Sequence, residues 1–512
     1  MRAPGPQRDG DGREARWLTA ALAAALLVAF PYAERTRNAN ERPRLLQAAA
    51  LVEHATWAID GPVRRGLDPG PDVSRDPRTG ALYPNKPPAT TLVAAAGYVL
   101  AGVGQDAVTL RRATWFARLL AGVTPLLLLA WFLRRRLLTD AGGTLALAAL
   151  ALATPLAAYA HLLYGHALAA CTLWIGATLV IDGVRDDSPR RAALGGALAA
   201  CSVTVEYSAA FAGLPLAAFV LAHARTRRRA GLAAGLAALG PIALLGWYHA
   251  ACYGSPLRTG YHLVVDAGFA AKHGQGLLGL VAPTWQAIHT HLLGSEAGLL
   301  WWAPLTVVGV AGLVDLSFGP DSRARSHARV GLGVFATMTL VCVSLNFEGG
   351  WRVGPRYLAA ALPALALGWW HALRWLVGPG RAAWRTLLFT ALLVWSSLLN
   401  GLAANLWPHF DLTNVHQPVS EVLLPLWRSR EPYVAFPGAA HAAVIGATLA
   451  LLWLLARLAT RAQRVAVGLG AVIGVAMVAA TSRIPPHPRG PANLAYIEKV
   501  WEPPGSSQQL SP

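Results

Sequence analysis

The chain has 512 residues, of which 54% are hydrophobic and only 14% are charged, and its mean hydropathy is +0.41. Soluble domains carry roughly 25% charged residues, so this composition excludes a string of soluble domains and favours one membrane protein with many spans. The net charge of +18 would suggest nucleic-acid binding in a soluble protein. Here the arginines form short clusters between apolar runs, as in cytoplasmic loops of membrane proteins.

The first apolar run covers residues 17–33 and follows four arginines in residues 1–16. A signal peptide is the competing interpretation, but no small-residue cleavage site follows the run. We therefore predict an uncleaved anchor, with residues 1–16 in the cytoplasm. The four cysteines lie in or beside apolar runs and are too few for a disulfide framework, so we expect buried thiols.

Six later arginine clusters set the topology. If all six face the cytoplasm, a pair of spans of about 20 residues must separate each cluster from the next. The apolar runs that allow this are 113–133, 141–160, 167–182, 192–205, 208–223, 231–250, 297–317, 330–346, 358–378, 386–407, 438–457 and 465–482. The sequence thus predicts an all-α polytopic membrane protein with about thirteen spans in residues 17–482. A Pro-rich tail, 483–512, would lie outside.

Two segments need separate interpretation. Counting residues 88–104 as a span would reverse every later loop, so we predict an interfacial or re-entrant helix on the outer side. The short runs 192–205 and 208–223 predict a helical hairpin that turns at Glu206 and Tyr207.

The outer loops, 34–112, 251–296, 347–357 and 408–437, carry the chemistry. In the first loop Asn40 is a plausible N-cap and Pro43 suits a first turn, followed by an apolar stripe. This pattern predicts an amphipathic helix of ~15 residues on the membrane. Glu41 at its start is either a functional carboxylate or one favoured there by the helix dipole.

Three cations of the outer loops are candidates for anion binding. Lys86 is one of three lysines in the chain and lies among prolines directly before the apolar segment 88–104. Arg352 and Arg356 lie in a Gly/Trp-rich turn, and guanidinium groups bind phosphate with several donors. Snorkelling explains Lys86 equally well, and pairing with Glu348 or lipid explains the arginines. We interpret His161 and His166 as interfacial histidines.

Read in order, these loops resemble the GT-C membrane glycosyltransferases, specifically the relatives of family 39. That group includes protein O-mannosyltransferases and bacterial lipid A aminoarabinose transferases. The motifs are the acidic residue after the first span, the KPP stretch at Lys86, a GSP turn followed by Gly260-Tyr261, and GPRYL around Arg356. The resemblance covers about residues 17–380. It implies a GT-C-like bundle with outer amphipathic helices.

The resemblance also implies a function. It implies a sugar donor carried on polyprenyl phosphate, an outward-facing site in the cytoplasmic membrane, and a carboxylate base in the first outer loop. Glu41 corresponds to that base, Lys86 and Arg356 to donor-phosphate contacts, and Arg352 to a further candidate. The family's Asp-Glu pair stands here as Asn40-Glu41. Because of this departure, four other acidic residues remain candidates for the base: Glu34, Asp60, Asp72 and Asp76.

The predicted chemistry needs little acid catalysis, because fixed cations offset the charge of the leaving phosphate. A divalent metal ion could share this task, although no spacing in the sequence demands one. The acceptor would be a protein, a lipid or a polysaccharide. A transporter or flippase of lipid-linked sugars is the main alternative, and a non-enzymatic assembly partner is the third.

Overall fold

The computed structural model describes residues 10–30, 38–277, 279–346, 350, 352–408, 410, 415–428, 438–485 and 487–496. In these ranges the chain forms helices and one short two-stranded sheet, which confirms the predicted helical fold class. The largest cluster of buried apolar side chains extends from Leu18 to Val467, and most of its members lie between residues 123 and 377.

The helices of the first half are α1 Gly10–Leu27, α2 Arg42–His54, α3 Asp60–Arg64, α4 Ala89–Leu100, α5 Ala107–Arg118, α6 Thr124–Arg136, α7 Ala141–Leu152, α8 Leu156–Tyr159, α9 His166–Arg185, α10 Pro189–Val205, α11 Ala209–Ala222 and α12 Arg228–Tyr253. A wider turn, Leu119–Val123, joins α5 to α6 without a break.

The second half contains α13 Ala267–His273, α14 Trp285–Ile288, α15 Leu299–Trp302, α16 Thr306–Ser317, α17 Ser322–Val343, α18 Leu362–Leu376, α19 Ala383–Asn405, α20 Leu424–Arg428, α21 Ala439–Leu458, α22 Arg461–Ala480 and α23 Gly490–Tyr496. Short helical turns cover Gly260–Leu263, His289–Leu293, Arg356–Ala361, Val419–Leu423 and Thr481–Arg483.

In the described chain, seven helical segments are long and apolar enough to cross a membrane, so the protein is a multi-pass membrane protein. They are Ala107–Arg136, His166–Arg185, Arg228–Tyr253, Ser322–Val343, Ala383–Asn405, Ala439–Leu458 and Arg461–Arg483. Four shorter apolar helices are α4, α7, α11 and α16. The count of about thirteen spans stays a prediction, as do the domain limits and the cytoplasmic N-terminus.

Two predicted spans are interrupted by proline. The run 141–160 breaks between α7 and α8 at Pro155, and the run 297–317 breaks between α15 and α16 at Pro304. Proline lacks an N–H donor and disfavours helical geometry at the preceding residue. The predicted first span also differs, because α1 begins at Gly10 and ends at Leu27.

The apolar segment 88–104 contains α4, which has 12 residues. At 1.5 Å per residue such a helix is about 18 Å long, well short of the ~30 Å hydrocarbon layer. Its length therefore suits the predicted interfacial or re-entrant helix, whose depth in a membrane stays a prediction. The hairpin of α10 and α11 turns at Glu206, as predicted.

The helix at Glu41 differs from the predicted amphipathic surface helix. Glu41, not Asn40, occupies the N-cap position, and every residue from Pro43 to Ala50 is buried, including the polar Arg44 and Gln47. Gln47 is tolerated inside because its amide donates to the Trp57 carbonyl and the Tyr248 hydroxyl. Helix α2 is thus an internal helix whose polar groups are partnered by neighbouring elements.

All four cysteines are free thiols, and Cys171, Cys252 and Cys342 are buried as predicted, whereas Cys201 is half-buried.

The sheet is a hairpin of β1 Val73–Arg75 and β2 Leu82–Pro84. Its antiparallel register pairs Val73 with Pro84. Residues just before β1 therefore lie beside residues just after β2.

Candidate active site

The β-hairpin brings Asp72 and Lys86 together, because one precedes β1 and the other follows β2 by two residues. The Asn85 amide donates to the Asp72 carbonyl at 3.1 Å, which fixes the two ends side by side. The Lys86 Nζ lies 3.7 Å from the Asp72 Oδ2. Lys86 is only 5% exposed and Asp72 only 7% exposed, so this is a buried ion pair.

The loop after α12 covers the same ion pair with Tyr261. The Lys86 Nζ donates to the Tyr261 Oη at 3.2 Å and lies 4.9 Å from the centre of the ring. The Ser74 hydroxyl donates to the Gly260 carbonyl, and the Tyr253 hydroxyl donates to the Pro84 carbonyl, both at 2.6 Å. These two bonds hold the Gly260-Tyr261 turn against the hairpin.

Arg356 reaches the same region from the other half of the chain. It is the first residue of the turn Arg356–Ala361, is 6% exposed, and donates from Nη2 to the Tyr357 Oη at 3.0 Å. The preceding turn is anchored by Tyr159, whose hydroxyl donates to the Val353 carbonyl at 2.8 Å. Tyr159 therefore positions the arginine of the GPRYL motif.

Glu206 supplies a second carboxylate at the end of α10. Its Oε1 accepts from the Arg44 Nη2 at 3.0 Å and lies 3.9 Å from the His166 Nδ1. Burial raises the pKa of Glu206, and the positive charges of nearby side chains oppose this rise. Those side chains are Arg44, Lys86 and Arg356.

Tyr261 lies within electrostatic reach of both carboxylates. Burial raises its pKa, and the charges of Glu206 and Asp72 raise it further while Arg356 lowers it. Four buried side chains and one half-buried tyrosine from distant parts of the chain thus share one environment, which we call the central cluster: Asp72, Lys86, Glu206, Arg356 and Tyr261. Two of the sequence-predicted cations, Lys86 and Arg356, belong to it.

Glu41 lies beside this cluster in a tight ion pair. It is fully buried, and its two oxygens accept from the Nε and Nη2 of Arg118, each at 2.8 Å. The Leu163 amide donates to the same carboxylate at 2.8 Å, while the Leu163 carbonyl accepts from Arg44. Three donors therefore hold Glu41, an arrangement typical of a structural carboxylate. Its predicted role as the base stays a prediction.

The other acidic candidates fall in different places. Asp60 accepts the Leu82 amide at 3.0 Å, at the far end of β2. Asp76 lies in the hairpin loop, where hydrogen bonds from the side chain of Arg78 lower its pKa. Glu34 lies outside the described residues, as does Glu348. Of the described candidates, Asp72 is the one in contact with Lys86.

Arg352 flanks the cluster on a separate side. It is 2% exposed, and its backbone pairs with Phe410 through two hydrogen bonds of 2.8 and 3.2 Å. Burial lowers the pKa of His291 to about 3, and the charge of Arg352 adds to this effect. Arg352 and Arg356 stand on either side of Val353 in the sequence, and the backbone of Val353 is hydrogen-bonded to the Tyr159 hydroxyl.

Sequence reasoning did not assign three members of this region. Glu206 is the single acidic residue in the apolar stretch 189–222, and this isolation could have marked it as a candidate functional residue. Arg44 falls within the predicted amphipathic helix, where it was given no role, and Tyr261 was seen only as part of a turn motif. Their contacts to Glu206 and Lys86 join segments more than 150 residues apart, and one sequence does not reveal such pairings.

A divalent ion at the cluster would need several oxygen or nitrogen ligands from the protein. Among the described residues, no three His, Cys, Asp or Glu side chains come together as metal ligands. Asp72 and Glu206 each contact a cationic side chain already. The predicted metal remains untested, and no step below uses it.

Comparison with solved structures finds two proteins whose fold is similar to that of this chain. No protein-family model and no curated protein matches the chain. ArnT from Cupriavidus metallidurans bound to undecaprenyl phosphate is similar at 14% identity and a TM-score of 0.48, over 94% of this chain and 77% of that chain. Its apo state is similar at 14% identity and a TM-score of 0.48, over 95% and 78%.

The arabinosyltransferase EmbB from Mycobacterium smegmatis is similar at 16% identity and a TM-score of 0.49, over 97% of this chain and 44% of that chain. The chain thus spans less than half the length of EmbB. These proteins are GT-C glycosyltransferases, the group that the sequence resembles. At such scores the likeness concerns the fold alone and carries nothing about activity or ligands.

Proposed function

We propose that the protein is an integral membrane glycosyltransferase that moves a sugar from a polyprenyl-phosphate donor to an acceptor hydroxyl. The observation that carries this proposal is the central cluster itself. Lys86 and Arg356 are separated by 270 positions in sequence, yet both are buried beside Asp72 and Glu206. Buried cations cost several kcal/mol unless they are paired, so such a cluster is retained for a purpose.

The cations suit the leaving group of this reaction. As the bond between the sugar carbon and the phosphate oxygen breaks, negative charge grows on that oxygen. Lys86 and Arg356 would offset it in a site of low dielectric constant, where such interactions are strongest. Arg356 offers a planar fork of donors and Lys86 a point charge, a combination that holds a phosphate without a metal. Arg352, beside the cluster, would contribute further positive charge.

The acceptor oxygen forms the new bond to the sugar carbon and must lose its proton. We propose Asp72 as the base, because it lies 3.7 Å from Lys86 and its side chain is 10% exposed. Donor phosphate would draw Lys86 away from Asp72 and release the carboxylate for proton transfer. The sequence resemblance implies Glu41 as the base. We propose instead that Glu41 has a structural role and holds α2 against Arg118 and Leu163.

We further propose that the site opens to the outer face of the cytoplasmic membrane. The central cluster lies at the His166 end of α9, and the arginine-rich segments 185–191 and 323–329 lie at the other end of that helix and its neighbour α17. Arginine-rich ends of membrane helices are usually on the cytoplasmic side. The acceptor would then be an envelope component: a protein, a lipid or a polysaccharide.

The test is a transfer assay with purified protein and a polyprenyl-phosphate sugar. Lys86→Ala and Arg356→Ala should each lower the transfer rate roughly 10²–10³-fold, the usual effect of removing one group that stabilises developing charge. Lys272→Ala and Arg190→Ala, outside the cluster, should leave the rate unchanged. Full activity of both cluster variants would refute the proposal. Movement of donor across vesicles without its consumption would identify a flippase instead.

A further inference from the structure

A cavity with arginines along one wall lies far from the central cluster. Its volume is about 360 Å³, and it is bordered by α9, α11 and α17. Helix α9 runs from His166, beside Glu206, to Arg185, which lines this cavity. At 1.5 Å per residue, these 20 residues separate the two places by about 30 Å, the thickness of a hydrocarbon layer.

Three arginines line the cavity, together with two serines of α17. Arg185 donates to Ser326 Oγ at 2.9 Å and to Ser322 Oγ at 2.5 Å. Arg325 donates to the Gly319 carbonyl at 2.9 Å, and Arg329 donates to the Ser317 carbonyl at 3.1 Å. These partners are all neutral. They fix the three guanidinium groups in place without offsetting their charge.

Two carboxylates near the cavity, Asp182 and Asp321, contact other groups. Asp182 accepts from Arg323 at 2.8 and 2.5 Å and lies 3.2 Å from His327. Asp321 accepts the amides of the first turn of α17. The residues that line the cavity include no acidic side chain. A concentrated positive charge therefore remains inside it.

The opposite wall is apolar. Pro215, Phe219 and Ala222 of α11 border the cavity, and the exposed Leu214 and Leu221 lie on the same helix. A site with fixed guanidinium groups on one wall and an apolar helix on the other matches a phosphate attached to a hydrocarbon chain. Positive charge that served only to orient the chain would need no fixed geometry.

We infer that this cavity binds a phosphate group, monoester or diester, of the kind that anionic membrane phospholipids carry. The arginines would donate to the phosphate oxygens, and the acyl chains would run along α11. Inorganic phosphate shares the recognised chemistry without the apolar part. The inference uses none of the central-cluster residues, so it stands or falls separately from the proposed transfer reaction.

The test is native mass spectrometry of the purified full-length protein, titrated with phosphatidylglycerol, phosphatidylcholine or inorganic phosphate. Phosphatidylglycerol should bind more tightly than the zwitterionic lipid. The variant R325Q/R329Q removes two charge-assisted hydrogen bonds to phosphate. Its affinity for phosphatidylglycerol should therefore fall roughly tenfold or more. The control R190Q/R229Q changes two exposed arginines outside the cavity and should bind as the unchanged protein does.

Saturable binding of inorganic phosphate that depends on the same arginines, with no preference for lipid, would assign a soluble source. Equal affinity of R325Q/R329Q and unchanged protein would overturn the inference. A photoactivatable phosphatidylglycerol applied to the unchanged protein provides a check that needs no variant. It should label residues 215–222, and labelling confined to other helices would also overturn the inference.

Discussion

The buried Lys86 side chain contacts two neighbours of different kinds. Asp72 supplies opposite charge at 3.7 Å, and Tyr261 supplies a hydroxyl acceptor and a ring face. A cation over an aromatic face gains roughly 0.5–2 kcal/mol, less than full pairing with a carboxylate. The lysine is therefore stable at rest and can still exchange Asp72 for a phosphate.

Substitutions of Glu41 and Asp72 should affect stability and catalysis separately. Glu41→Gln leaves the buried Arg118 charge without its carboxylate, which typically costs about 3–5 kcal/mol. Thermal unfolding should show this loss, while the folded fraction still transfers sugar. Asp72→Asn should instead lower the transfer rate roughly 10²–10⁴-fold and retain donor binding. A stable but inactive Glu41→Gln protein would return the role of base to Glu41.

Gly165 permits the close approach of α9 to Glu206. Its φ is +87°, and a Cβ there would lie 2.7 Å from the Thr90 Oγ1 and 3.1 Å from the Glu206 Oε1. Gly165→Ala should therefore destabilise the protein by on the order of 1–3 kcal/mol and displace Glu206. Gly213→Ala, where nothing lies within 4 Å of the added Cβ, is the matched control and should unfold at an unchanged or higher temperature. Equal melting temperatures for both variants would contradict this.

At the scale of elements, the packing of α9 against α10 sets the position of Glu206. A Cβ at Gly195 would lie 2.5 Å from the Val180 amide nitrogen, so the two backbones are in direct contact. Small residues at such crossings are typical of membrane helices. The pair thus acts as one rigid unit that ends at the central cluster.

Gly195→Leu should push α10 away from α9 and shift Glu206 from Arg44. We expect lower thermal stability and a lower transfer rate together. Gly235→Leu on α12, where a Cβ meets nothing within 4 Å, should change neither quantity. Unchanged activity of Gly195→Leu would mean that Glu206 is not positioned by this contact.

Element positions were predictable wherever apolar runs were long. The predicted run 386–407 corresponds to α19, 438–457 to α21, and the turn at Glu206 lies between α10 and α11. Predictions failed where contacts between distant segments determine whether a residue is buried. Helix α2 was expected at the membrane surface because its apolar residues form a single stripe. Its polar residues Arg44 and Gln47 are nevertheless buried, with partners from α10, α12 and the loop at Trp57.

At the scale of the whole molecule, the net charge of +18 is unevenly placed along the helices. Arginine-rich segments lie at one end of α9 and α17, and the central cluster lies at the other. The sequence indicated Lys86 and Arg356 through lysine scarcity and their place in outer loops. It could not indicate their shared surroundings, because the contacts join segments that meet only in the folded protein.

Sidedness can be measured directly on intact cells with a membrane-impermeant thiol reagent. Arg75→Cys, in the exposed part of β1, should be labelled, and Arg190→Cys, at the start of α10, should be protected until the cells are opened. The unchanged chain serves as the background control, since three of its four cysteines are buried. Labelling in the reverse order would invert the proposed topology.

The most direct measurement is an experimental structure of the protein with a bound polyprenyl phosphate. Hydrogen bonds from Lys86 and Arg356 to one phosphate, with Asp72 directed toward the acceptor side, are the result that this mechanism predicts. A phosphate bound away from both cations, with Lys86 still paired to Asp72, would contradict it.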